Sequence, residues 1–257
     1  VLHGGGGRGD NFNEVMTNGS LAEAADNRSV VLAFPEGIKK QWNDGRIEIL
    51  KGNKQRDDVG FISAVSDKLV ARYGIDVNRV FATGISNGGL MSMRLAMDLS
   101  TKIAAIAPVT AQISKAIADK KPERPISVMI VNGTKDPLVP FDGGHIRLFS
   151  FGRSRGEVFS SEQSIQVFRK HNACASSPTT EQLKDQDPND GTRVHIQTYG
   201  DCRDGTAVVL VKVIGGGHTW PGGRQYLRAR RIGVVSRDFN ASELILDFFL
   251  AHPRAKQ

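Results

Sequence analysis

The chain has 257 residues, 39% hydrophobic and 24% charged, with a formal net charge of +7 at pH 7. This balance excludes disordered, collagen-like and disulfide-dense classes, and the length fills one core, so 1–257 reads as a single α/β domain. No apolar run approaches the roughly 20 residues of a transmembrane helix, and Val1-Leu2-His3-Gly4 shows neither the basic leader nor the apolar stretch of a signal peptide.

In chain order, Val1-Leu2 reads as the end of a strand running into the glycine loop His3 to Gly7. Ser29–Phe34 reads as a buried strand stopped by Pro35 and Gly37. Asp57–Tyr73 is predicted helical, with Ile62, Val65 and Leu69 at helical spacing and Gly74 as stop signal. A strand over Arg79–Thr83 leads through a tight glycine turn into a helix with Leu90, Met93 and Met97 as its apolar stripe. Ile103–Val109 and Ile126–Val131 are apolar runs of buried-strand length, and Ser161–Lys170 is a helix with Ile165 and Phe168 inward. Thr192–Tyr199 alternates, with Val194 and Ile196 on one face and Arg193, His195 and Gln197 on the other, as in a half-exposed strand. The turn Asp201–Gly205 joins it to a more apolar strand, Ala207–Ile214, and Ser236–Leu250 closes the chain as a helix with Leu244, Ile245 and Phe248 inward. Strands alternating with helices predict a mostly parallel sheet covered on both faces.

The chemistry centres on Gly84-Ile85-Ser86-Asn87-Gly88, directly after a strand and before a helix. A strand that reverses into a helix within a few residues strains the serine backbone and tolerates only small neighbours. Such a turn lifts the Ser86 hydroxyl above the sheet and aims the Asn87 N–H at the oxygen of an attacked carbonyl. A serine hydroxyl needs a base in hydrogen-bond reach, and in this architecture the order is Ser, acid, His. Five of the six histidines follow Ser86. His195 lies on the polar face of a strand, His171 and His252 at helix ends, and His145 in a loop after Gly143-Gly144. His218 follows an apolar strand and three glycines, at the kind of strand end where open α/β sheets build sites. The acid expected from Val131–Pro137 is Asp136, with Asp142 as runner-up. The His3–Gly7 loop fits the HGGG type that supplies a second oxyanion donor, with His3 itself structural.

Two features stay open on the residues alone. Cys174 and Cys202 bracket a polar, turn-rich stretch and are either a disulfide or two unrelated thiols. Arg224, Arg228, Arg230 and Arg231 form a basic cluster that reads as a solvated loop, since no aromatic platform accompanies it as in nucleic-acid binders. Steering of anionic substrates is the lesser alternative.

Seven segments carry a resemblance that covers nearly the whole chain: Leu2–Gly7, Trp42–Gly45, Asp57–Phe61, Arg79–Gly89, Asn132–Pro140, Gly216-Gly217-His218-Thr219-Trp220-Pro221-Gly222 and Asn240–Ser242. Through them the sequence resembles the polyhydroxybutyrate depolymerase and feruloyl esterase family of α/β-hydrolases, which includes secreted and lipoprotein esterases. The resemblance implies a triad of Ser86, Asp136 and His218, and oxyanion N–H groups from Gly5 and Asn87. It also implies a substrate-binding Trp220 beside the acyl pocket, core packing being the alternative for that side chain. It favours a Cys174–Cys202 disulfide and, with it, export to a secreted, periplasmic or lipoprotein-anchored location. Family members carry further strands before the His-Gly loop, so the sequence reads as trimmed ahead of Val1.

The expected reaction is two-step acyl transfer on hydroxyalkanoate, feruloyl or acetyl esters, needing no metal and no organic cofactor, with an ester as partner and no nucleic acid. The rivals are a serine peptidase of the same fold and a non-catalytic binding module on a hydrolase scaffold.

Overall fold

The computed structural model describes residues 1–50, 56–148 and 152–255. Its centre is a six-stranded sheet in the order β1-β2-β3-β8-β7-β6. Four strands are parallel: β1 (Phe81–Ile85), β2 (Ala105–Val109), β3 (Ser127–Gly133) and β8 (Val208–Ile214). β7 (Arg193–Tyr199) runs antiparallel to β8 as the first arm of a hairpin, and the exposed β6 (Thr179–Gln182) extends the sheet antiparallel to β7.

The inner strands are apolar on both faces because both faces are covered. Ile106, Val128, Ile130, Val208 and Leu210 join one core, together with Met93 and Met97 of α4 (Asn87–Asp98) and Ile165 and Phe168 of α5 (Ser161–His171). On that face too lies α3 (Asp58–Tyr73), capped by the Asp57 carboxylate at the Gly60 amide and ended by left-handed Gly74. The alternate side chains Ala105, Ala107, Val109, Met129, Val131, Val209 and Val211 face a second core. That core is covered by α1 (Phe12–Met16), α2 (Ser20–Asp26) and α7 (Ala241–Ala251). α5 starts at a full capping box, Ser160 with Gln163. A small hairpin, β4 (Gly144–His145) with β5 (Glu157–Val158), lies off the main sheet, and α6 (Ala229–Ile232) follows β8.

A disulfide joins Cys174, after α5, to Cys202 in the β7–β8 turn. No helix among the described residues is long and apolar enough to cross a membrane.

Two expected elements differ. Residues 29–34 are not a buried strand. Ser29 turns with φ 53°, the Val1 N to Ala33 O bond ties the segment to the N-terminus, Val31 is 51% exposed, and no ladder forms among the described residues. A strand is defined by its partner, and composition alone does not provide one. The last helix begins at Ala241, because Ser236 to Asn240 have other work. The Asp238 carboxylate accepts from the Gln186 and Asp187 amides, the Ser236 carbonyl accepts from Gly222 N, and the Asn240 side chain caps the helix at Ser242 N.

Candidate active site

Strand register brings the candidate residues to one edge of the sheet. Ile85, Val109 and Val131 lie side by side, as do Gly133 and Val213, so the loops after β1, β3 and β8 all leave from the C-terminal edge. Ser86 occupies the single residue between β1 and α4 with φ 56° and ψ −119°, in a region that costs a non-glycine residue of order 1–3 kcal/mol. The surroundings hold it there. Its amide donates to Val109 O at 3.0 Å and to Thr110 Oγ1 at 3.2 Å. A Cβ on Gly84 would overlap the Leu2 carbonyl, and one on Gly88 would overlap the carbonyls of both Leu2 and His3. The two glycines therefore let the serine turn and the His-Gly loop touch backbone to backbone.

That loop is fixed by its histidine. His3 Nε2 accepts from Gly37 N at 3.0 Å, so Nδ1 carries the proton and donates to Gly4 O at 2.8 Å. The Trp42 ring lies against the imidazole, centroids 5.0 Å apart, and its Nε1 donates to His3 O at 3.0 Å. Gly7 N closes a turn onto Gly4 O, and Gly6 N donates to Lys40 O. Among the described residues, the amides of Gly4, Gly5 and Asn87 have no acceptor. Asn87 opens α4, where a helix leaves its first N–H groups without internal partners.

Beyond β3 and β8 the two loops continue side by side. Thr134 N bonds Val213 O, Lys135 N bonds Gly216 O at 2.9 Å, and Gly215 N bonds Thr134 Oγ1 at 3.0 Å. They end with His218 Nδ1 on Asp136 Oδ2 at 2.7 Å, both side chains buried. The other carboxylate oxygen of Asp136 accepts from the amides of Leu138 at 2.8 Å and Val139 at 2.9 Å, which sets the angle of the group. His218 N donates to Ile232 O, and its carbonyl accepts from the Tyr226 hydroxyl at 3.0 Å. Burial, and then the Asp136 charge, push the Tyr226 phenol well above its usual range, so it remains a donor.

The rival residues lie elsewhere. Asp142 is exposed, His145 is exposed and bonded to Ser154, His195 is half-buried on β7, and His252 bonds Phe248 O. His171, at the end of α5, is held neutral to lower pH by burial. Trp220 is placed differently from expectation. It is fully buried, edge-on to Phe12 at 5.6 Å, with Nε1 on Ser242 Oγ at 3.1 Å, so it is a core side chain and offers no surface to a substrate. The Arg224–Arg231 segment is exposed as expected, but partly helical, with α6 directly behind His218. Three neighbours have no role in the sequence reading: Trp42, Thr110 and Tyr226. For Trp42 the available signal was its place in one of the seven segments of resemblance. No group of three or more His, Cys, Asp or Glu among the described residues is placed to hold a metal.

A strained serine after a buried parallel strand, with a buried Asp–His pair at the same sheet edge on the strands two and three places away, defines an α/β-hydrolase arrangement. Similarity to known proteins agrees. The chain is 31% identical over 254 residues to a Nocardia uniformis subsp. tsuyamanensis protein named as an esterase, NocK, covering 97% of this chain and 73% of that one. It is 28% identical over 223 residues to feruloyl esterase B of Piromyces equi, and 24% identical over 210 residues to the bifunctional acetylxylan esterase/xylanase XynS20E of Neocallimastix patriciarum. These alignments cover 81% and 80% of this chain but only 38% and 27% of those longer proteins. The acetyl xylan esterase of Aspergillus awamori shares the fold at a TM-score of 0.59 and 13% identity, covering 97% of this chain and 87% of that one. No protein-family model matches the chain. The chain belongs to the feruloyl esterase and polyhydroxybutyrate depolymerase-like family of α/β-hydrolases, which places it among esterases.

Proposed function

We propose that the chain is one catalytic domain, a serine carboxylic-ester hydrolase working through Ser86, His218 and Asp136. Ser86 Oγ attacks the ester carbonyl while His218 Nε2 takes its proton, and the alcohol leaves with that proton from the imidazolium. Water, deprotonated by the same imidazole, then releases the acid. The Gly5 and Asn87 amides receive the oxyanion, a role favoured by their having no acceptor among the described residues. Asp136 holds His218 with its proton on Nδ1, leaving Nε2 free to act as base.

The buried His218–Asp136 hydrogen bond carries this reading, since it joins residues 82 positions apart and is anchored by two further backbone amides. Proposed substrates are feruloyl, acetyl or short hydroxyalkanoate esters, small or polymeric; the first two follow the names of the Piromyces and Neocallimastix relatives. The disulfide supports function in an oxidising compartment, outside the cell or in the periplasm. The test is labelling with a fluorophosphonate, located by mass spectrometry, beside turnover of p-nitrophenyl esters. A single adduct on Ser86, with labelling and turnover both lost in folded Ser86→Ala, is expected. Turnover retained by that variant refutes the assignment.

A further inference from the structure

Asn87 is bound through its side chain as well as through its place in the turn. Its Oδ1 accepts from Trp42 N at 2.7 Å, while its Nδ2 donates to Trp42 O at 3.0 Å and to Asp44 Oδ2 at 2.7 Å. Trp42 in turn holds the opposite lip of the site through His3 O. Residues 42–44 therefore bridge the two segments that carry the proposed oxyanion amides.

Asp44 is the charged part of this bridge. It is 0% exposed and Arg46 is 3% exposed, with Arg46 Nε at 3.0 and 3.1 Å from the two carboxylate oxygens and Nη2 at 2.5 Å. The remaining guanidinium nitrogen, Nη1, donates to Arg155 O at 2.7 Å. A buried ion pair is seldom more stabilising than apolar side chains of the same volume, so its presence calls for a role in orientation. Holding the segment down is already done by others. Asn43 N donates to Asp58, Asn43 O accepts from Arg94 at 2.6 Å, and Arg56 donates to Gln41 O. What Asp44 adds is a fixed, charged acceptor aimed at Asn87 Nδ2.

We propose that Asp44, oriented by Arg46, is a positioning residue that sets the Asn87 amide for the oxyanion. This inference rests on the Ser86 reaction proposed above. A charge-assisted bond from Asp44 to Nδ2, together with the Trp42 backbone on Nδ2 and Oδ1, ties the side chain of Asn87, and through its Cβ the first residue of α4, to residues 42–44, so the backbone N–H at that position is held against shifts of the turn. Asp44 touches no substrate; its effect passes through Asn87 and appears where the carbonyl oxygen becomes an anion.

The test uses Asp44→Ala, Asp44→Asn and the double variant Asp44→Ala/Arg46→Met, with Tm, kcat, KM and the affinity of an alkylboronic acid as readouts. In Asp44→Ala, Tm falls because Arg46 is left buried without a counter-charge, and kcat falls about tenfold or more with KM within about twofold. Boronate affinity falls in parallel with kcat/KM. The double variant removes the stranded guanidinium and recovers Tm, but kcat stays low. Asp44→Asn, which keeps an oxygen for Asn87 but loses the charge that pairs with Arg46, recovers only part of kcat. Unchanged kcat in Asp44→Ala, or kcat returning together with Tm in the double variant, overturns the proposal. Wild-type protein that forms no adduct at Ser86 overturns the underlying reaction instead, so the two failures are distinguishable.

Discussion

Replacing Asp136 with Asn tests the site at its most buried point. The backbone amides of Leu138 and Val139 both donate to one oxygen of Asp136, so the single carbonyl oxygen of an Asn takes that position and its NH2 turns toward His218 Nδ1. An NH2 there demands an unprotonated Nδ1, which puts the proton on Nε2, the atom that has to accept from Ser86. The working tautomer then sets two buried donors against each other, at a cost of about 1–3 kcal/mol. The imidazolium formed during attack also loses its counter-charge, worth about 4 kcal/mol at roughly 4 Å for an effective dielectric near 20. Together these raise the barrier by about 5–7 kcal/mol, or roughly 10⁴- to 10⁵-fold in kcat. The reference serine-protease triad loses about 10⁴ on the same change. Tm, which no volume change disturbs, should stay within a few degrees. The assay is steady-state hydrolysis of p-nitrophenyl acetate by wild type and variant, with active sites counted by fluorophosphonate. A folded Asp136→Asn protein retaining a tenth or more of wild-type kcat would refute the tautomer reasoning.

Three further outcomes follow from the same structure. Tyr226→Phe leaves the His218 carbonyl without its hydroxyl donor and should cost about 1–2 kcal/mol of stability, read as a lower urea midpoint, with kcat within a few-fold of wild type. Replacing Cys174 and Cys202 by Ser opens a loop of sequence separation 28, for which chain entropy gives about 3.5 kcal/mol; denaturant unfolding should show that loss while activity at 25 °C persists, because the bond lies outside the site. His171 has its folded pKa lowered chiefly by burial, against an ordinary value of about 6.5, with Arg203 and Lys121 adding to the effect. The unfolded chain therefore binds this proton first, and stability is lost as pH falls from about 6.5 toward the lowered folded value. Tm measured at pH 7 and pH 5 should fall less in His171→Gln than in wild type, and an equal fall in both would dismiss the effect.

The serine turn was legible because its determinants are local: small residues at Gly84 and Gly88, an apolar strand before and a helical stripe after. His218 and Asp136 could be chosen from chain order and strand ends, and the structure brings their side chains together. Residues 29–34 have the composition of a strand, but a strand also requires a hydrogen-bonding neighbour, which their composition does not reveal. Trp220 misled for a related reason. Its segment marks the family, but its burial is decided by Phe12, 208 positions earlier, and by Ser242. The bridge from Asp44 to Asn87 spans 43 positions and joins two polar residues with no spacing rule between them. Such contacts are a product of how the loops pack, and periodicity does not report them.

The contact of Gly88 with the Leu2 and His3 carbonyls has a practical consequence for remodelling the protein. Nucleophile turn and glycine loop form one solid piece, so widening the centre of the site for a bulkier acyl group would pull both apart at once. A mutant library aimed at new substrates should therefore leave 2–6 and 84–89 untouched. It should place its diversity on the exposed residues Leu227–Arg231, next to the His218 loop, where side chains point to solvent.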